Sequence, residues 1–192
     1  MNINELNRPL TTAEIEFKPQ SARIYDGVVY CDIVPYKSAR VDMDILDNVC
    51  GPGKWQNSYE RDSEKVLKGG IGILVDDRWI WKWSNGVKSN FEKEKGEYSD
   101  AFKRAGFMWG IGRCLYAFPH VRVVLNEKEY MQSGENAIKV TGYFKPNNWK
   151  WSLDWGDDEE KPFKLVGKQW IQGGYKERYN SNPNNAKNQK RS

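Results

Sequence analysis

An α+β fold is predicted, and three observations predict it. Three stretches rich in β-forming residues (55–61, 66–75 and 78–83) follow one another closely, with Asp76-Asp77 as a tight-turn pair between the last two. Upstream, Val41, Ile45, Leu46 and Val49 recur at helical spacing behind Ser38. Downstream, residues 100–118 form a long amphipathic pattern led by Ser99.

The elements follow in chain order. Residues 16–20 read as a short strand, and 28–36 as a strand with β-branched and aromatic enrichment. Ser38 can N-cap a helix over 39–49, which Gly51 and Pro52 then stop. The three consecutive strands read as antiparallel. Ser84-Asn85-Gly86 marks a loop, and a charged stretch over 91–97 leads to Ser99 as a second N-cap. The helix from Asp100 to about Phe118 would be nearly 30 Å long, at roughly 1.5 Å per residue. Phe102, Ala105, Met108, Trp109, Gly112, Leu115 and Tyr116 gather on one face, the expected core stripe. Lys103, Gly110 and Cys114 lie opposite, with Arg104 and Arg113 at the margins. Gly106, Gly110 and Gly112 each cost about 1 kcal/mol against Ala in a helix interior. Three such costs imply that another backbone, the protein's own or a ligand's, passes close by.

Composition narrows the function classes. The 192 residues suit one domain with an appendage, or at most two small domains, and a mean hydropathy of −0.83 with 29% charged residues describes a polar chain. No apolar run approaches the roughly 20 residues of a membrane helix, and MNINELNRPL does not read as a secretory signal. Cys31, Cys50 and Cys114 are scattered, which argues against a disulfide framework and for a reducing cytoplasm. A single His and no CxxC argue against zinc. Residues 172–192 carry Lys176, Arg178, Lys187, Lys190 and Arg191 against Glu177 alone, so this tail accounts for the entire net charge of +4. The rest is neutral, and any phosphate binding must come from a local concentration of cations. The tail itself is too polar to offset the entropy of ordering and is expected to be disordered. The acidic run Asp157 to Glu160 and Pro162 read as a linker, and 163–170 as a docked strand. Residues 1–125 are expected to form the folded core, and 126–171 an extension.

Several groupings bear on chemistry. Lys93, Lys95, Lys103, Arg104 and Arg113 surround the long helix. They are either a solvated face paired with Glu92, Glu94, Glu97 and Asp100, or a stripe that holds a phosphate backbone. Lys103 and Arg113 have no acidic residue four positions away, which favours the stripe. In RWIWKW, Trp79, Trp81 and Trp83 point to one side and Arg78, Ile80 and Lys82 to the other. The plainer reading is a tryptophan-lined core face; the functional one is a platform on which bases stack. The clusters GGIGI (69–73) and WGIGR (109–113) complete neither a Walker loop nor GxGxxG, so they read as close packing. The run Glu92-Lys93-Glu94-Lys95 does not complete the E-x-K of a metal-dependent nuclease, and His120 beside Pro119 reads as structural.

The string SDAFKRAGFMWGIGRCLY (99–116) resembles the signature helix of the phage Sak-type single-strand annealing proteins, the viral branch of the Rad-fifty-two recombination family. Three further segments are similar in collinear order: ELNRPLTTAEIEFKPQ (5–20), ARVDMDILDNVCGPGKWQNSYE (39–60) and GGIGILVDDRWIWKWSNG (69–86). The resemblance covers about residues 5–125. It implies a curved antiparallel sheet packed on a long helix, and assembly into a ring or helical oligomer. It further implies ATP-independent binding of single-stranded DNA, with bases presented outward for a complementary strand, in phage recombination and repair in the bacterial host cytoplasm. No catalytic residue, cofactor or metal is implied. The family's groove lysine falls on Lys103, followed by Arg104, and its earlier arginine on Arg40. Lys95 matches a basic position one helical stretch before Lys103, and Arg113 belongs to the phage GIGR pattern. Lys82, Trp79 and Trp81 on the hairpin complete the expected DNA-binding set, while Ser89 and Asn90 are expected to be positional. The chain departs from the pattern at Gly106-Phe107-Met108 and at Cys114, which touches packing more than phosphate binding. Two alternatives stand beside this reading: a monomeric nucleic-acid-binding module without annealing activity, and a metal-dependent nuclease. The basic tail is a possible contact for a single-strand DNA-binding protein.

Overall fold

The computed structural model describes residues 1–86, 93–134, 137–155 and 163–173, with backbone alone for 93–95, 172 and 173. A short 3-10 turn (Ile3–Asn7) is followed by β1 (Glu16–Tyr25), β2 (Val28–Tyr36), α1 (Ala39–Cys50), β3 (Trp55–Arg61), β4 (Leu67–Val75), β5 (Arg78–Asn85) and α2 (Lys93–Trp109). Then come a 3-10 turn (Arg113–Ala117), β6 (His120–Val124), β7 (Tyr130–Gln132), β8 (Ile138–Val140), a 3-10 turn (Pro146–Asn148), β9 (Lys150–Leu153), β10 (Phe163–Val166) and β11 (Trp170–Gly173). Every strand pair among the described residues is antiparallel, and with two α-helices the class is α+β, as expected. None of the described helices is long and apolar enough to cross a membrane.

The chain divides into two compact units. One joins Met1–Ile15 to Lys37–Ala117, and the other joins Glu16–Tyr36 to the chain from Phe118 onward. The division is discontinuous and does not fall at residue 125.

In the first unit, β3, β4 and β5 form a meander in that order. The β4–β5 turn is made by Asp76 and Asp77 at φ 47° and 59°. Two consecutive left-handed residues make the turn whose twist matches that of antiparallel strands, and Asp tolerates it. Helix α2 packs on one face of this sheet. Phe102, Ala105 and Trp109 are buried against Ile71 and Ile73, and the Trp109 indole donates to the Ile71 carbonyl at 2.9 Å. Gly69 lets the helix come close, since a Cβ there would stand 2.9 Å from Ala101. Ile45 and Leu46 bury the inner face of α1.

The long helix differs from the expected 100–118. It begins by Lys93, so Ser99 is no cap; its hydroxyl donates to the Gly96 carbonyl from within the helix. It ends at Trp109 because Gly110 takes φ 105°. The Ile111 N–H then donates to the Gly106 carbonyl and the Gly110 N–H to that of Phe107, the paired bonds of a Schellman stop. The rotation this introduces removes Tyr116, 81% exposed, from the expected core stripe, while Met108, still within the helix at the margin of that stripe, is 47% exposed. The three glycines also differ in purpose. Gly110 faces Asn7, whose Cα would lie 3.3 Å from an added Cβ, so only this one meets another backbone. Gly106 and Gly112 face side chains, Asp42 and Lys37.

The second unit holds a sheet ordered β1-β2-β6-β11. The first strand is twice the expected length, running to Tyr25 and returning through Asp26-Gly27 at φ 50° and 74°. The register shifts between Pro19 and Ser21, where proline supplies no N–H to the ladder. Phe17 and Phe118 pack edge to face on each other and on Trp151 and Phe163 at centroid distances of 4.9 to 6.3 Å, and Trp170 adds to Phe163 at 5.0 Å. The segment 163–170, read as one docked strand, is β10 and the start of β11 with a turn at Gly167. Gln172 and Gly173, assigned to the tail, belong to β11. The acidic run Asp157 to Glu160, Ser89, Asn90 and the tail from 174 lie outside the described residues.

Candidate nucleic-acid interface

The candidate interface includes a buried ion pair that is absent from the expected set of residues. Lys37 immediately precedes the N-cap Ser38, and Asp42 is the fourth residue of α1. The Lys37 ammonium bonds both oxygens of the Asp42 carboxylate; these side chains are 1% and 0% exposed. The Lys37 ammonium also lies 4.7 Å from the centre of the Phe107 ring. An added Cβ at Gly106 would overlap Asp42 Oδ1, and one at Gly112 would overlap the Lys37 stem. These glycines therefore make the space in which the pair sits. Burial pushes the Asp42 carboxyl up to about 6, against the pull of Lys37 and, more weakly, of Lys103. Burial also pushes the Lys37 ammonium down, opposed by Asp42 and aided by Lys103. Lys103 thus acts electrostatically on both members of the pair. It lies three residues before Gly106, on the α2 face turned toward Asp42.

The expected basic residues are sorted by what already occupies them. Arg40, in the first turn of α1, is exposed, and Lys103 is half-buried. Neither makes a hydrogen bond or ion pair with a described residue. Arg104 pairs with Asp100 one turn back at 2.7 Å. Arg113 donates to the carbonyls of Phe107 at 2.8 Å and Met108 at 3.1 Å. Lys82 donates to the same Met108 carbonyl at 3.0 Å and lies 4.2 Å from the centre of the Trp109 ring. Arg113 and Lys82 therefore cap the end of α2, where carbonyls lack partners and the helix dipole is negative. The Lys95 side chain lies outside the described residues.

The tryptophans share a face, but it is not the core face against α2. On β4, Gly69, Ile71 and Ile73 turn to the helix, while Gly70 and Gly72 turn the other way. Trp83 and Trp81 sit opposite Gly70 and Gly72 in register and lie over them; an added Cβ would come within 2.6 and 2.7 Å of the indoles. The two indoles stack at 5.5 Å with planes 23° apart. Trp79 is 42% exposed and Trp83 36%. The plainer reading of RWIWKW is corrected accordingly: the helix side of β5 is the Ile80–Lys82 side. Arg40 and Lys103 belong to the helices, so the structure separates them from Trp79 and Trp81 by the thickness of the sheet.

Elsewhere several titratable groups are tied into the fold. Arg8 forms a two-pronged bond with Glu14 at 2.9 and 2.6 Å, and the Thr11 N–H and hydroxyl add to it. In the second unit, Asp32 accepts from Ser21 at 3.0 Å and Arg122 at 2.8 Å, with His120 Nε2 at 3.2 Å but out of line for a bond. Burial alone would raise the Asp32 carboxyl, yet these neighbours hold it well below the usual carboxylate range. The three cysteines are free, and burial pushes the Cys31 thiol up to about 12. Among the described residues no cluster of three His, Cys, Asp or Glu could hold a metal ion.

The signal for Lys37 and Asp42 was present in the glycines. A helix that carries Gly106 and a following Gly112 must be leaving room for something, and the occupant is an ion pair rather than a backbone. An Asp in a first turn reads as a partner of the helix dipole, which conceals its burial. Compared with known proteins, the chain matches no protein-family model and no curated protein.

Proposed function

We propose that this chain binds single-stranded DNA through its phosphate backbone and anneals it to a complementary strand without ATP, as an oligomer of the Rad-fifty-two type. The observation that carries the reading is the contrast among the cations. Lys82, Arg104 and Arg113 are engaged by carbonyls or a carboxylate, while Arg40 in the first turn of α1 and Lys103 on α2 have no hydrogen bond or ion pair among the described residues. Cations left open in this way suit a phosphate track. A backbone held on one side leaves bases available, and pairing gains on the order of 1.4 kcal/mol per stacked step, so annealing needs no nucleotide hydrolysis. Each copy contributes few contacts, and repetition along an oligomer multiplies them. The exposed indoles on the opposite sheet face suit sequence-tolerant stacking, by a second stretch of strand or by displaced bases.

The test is a salt titration of oligonucleotide binding. Arg40→Ala and Lys103→Ala should each weaken binding and make the log K against log salt slope shallower by about 0.7. Wild-type slopes in both variants would reject the reading. Light scattering that gives a mass near the 22.4 kDa monomer in the presence of single-stranded DNA would reject the oligomer.

A further inference from the structure

The start of α1 is held in an unusual way. The N-cap Ser38 makes no side-chain capping bond. A helix entry is commonly fixed by an apolar contact between the residue before the N-cap and the fourth helical residue. Those two positions here are Lys37 and Asp42, and the contact is a buried ion pair. Removing two charges from water is expensive, and an apolar pair of similar size would serve stability as well or better. What the ion pair supplies instead is a fixed place, because a charge moved out of this pocket loses its only buried partner. Arg40 lies between the two members in sequence, and Lys103 acts on both from α2.

We propose that Lys37 and Asp42 are positioning residues: an ionic staple, seated in the space left by Gly106 and Gly112, that sets the entry of α1 and so fixes the first turn that carries Arg40 for the phosphate track. The proposal rests on the strand-binding reading for its consequence, but the staple itself has a readout that needs no DNA.

Two variants of the full chain test it. Lys37→Met with Asp42→Leu removes the pair at constant net charge. Gly106→Ala alters no charge and favours helix, yet its methyl displaces the Asp42 carboxylate. In hydrogen exchange, amides of residues 41–44 should exchange faster in both variants while those of 45–50 stay as in the wild type. Binding to a single-stranded oligonucleotide should weaken at least threefold, with a salt slope shallower by about 0.7, as for Arg40→Ala. Unchanged exchange over 41–44 in either folded variant overturns the staple. Faster exchange with undiminished binding, in a protein whose Arg40→Ala variant binds more weakly, overturns the positioning role. If Arg40→Ala alone binds like the wild type, the positioning role falls; if Lys103→Ala does so too, the strand-binding reading falls as well, and faster exchange still supports the staple.

Discussion

Lys82 and Arg113 converge on one oxygen, the Met108 carbonyl, from two elements that the chain separates by 26 and 5 residues. Both lie where a helix ends and its last carbonyls face outward. Side chains of this kind look like ligand-binding cations in sequence, because a cation without an acidic neighbour seems free. Carbonyls leave no trace in a charge pattern, and Arg113 is an instance. Arg113→Ala should therefore destabilise the first unit by about 1 kcal/mol in urea unfolding, with the salt slope of oligonucleotide binding unchanged. Glu14 gives a second prediction. The Arg8 hydrogen bonds hold its carboxyl down to about 2, outweighing the opposing effect of burial, with Thr11 assisting. A folded-state value below the ordinary 4.5 means stability that is present above about pH 4.5 and lost as pH falls toward 2. The pair is partly solvated, so after discounting for screening the loss is about 1 kcal/mol. Glu14→Gln should flatten the pH dependence of unfolding between pH 5 and 2.

At the scale of elements, the hairpin β4–β5 was legible because its information is local. Alternation, an Asp-Asp turn and a tryptophan on every second residue fix strand, turn and side at once. The end of α2 was not, because amphipathic spacing continues through Gly110 and only the left-handed conformation of that residue breaks it. Glycine at a helix stop and glycine at a close approach are the same letter, and here Gly110 is both. The Trp face departs from the expected core face for a related reason. Gly70 and Gly72 offer no side chains, so the indoles lie down on bare strand and cover it, which local pattern does not distinguish from packing against a helix. Gly72→Ala should force Trp81 upright, break its stack on Trp83, and destabilise the unit by about 1–3 kcal/mol. Near-ultraviolet circular dichroism, which reads coupled indoles, should lose intensity in that variant; an unaltered spectrum would count against the stacked arrangement.

At the scale of the whole molecule, the limit of local reading is strand order. Nothing in residues 16–36 signals that their sheet is completed by residues 120–124 and 170–173, since those pairings join segments far apart in sequence. A boundary drawn near 125 follows resemblance and composition, yet Val121 and Val123 are fully buried within a sheet whose outer strand, β11, comes last among the described elements. Removing residues 126–173 would take away β11, Phe144, Phe163, Trp151 and Trp170, and leave Phe17 and Phe118 with only each other of the rings they pack against. An edge of unpaired backbone on β6 would remain beside exposed aromatic surface, the combination that recruits other chains. Cutting at 125 should therefore yield aggregated material with strong dye binding to exposed apolar surface. Cutting after 173, which keeps every described strand, should preserve the cooperative thermal transition of the full chain. A well-folded, non-aggregating 1–125 fragment would mean that the second unit does not depend on its late strands.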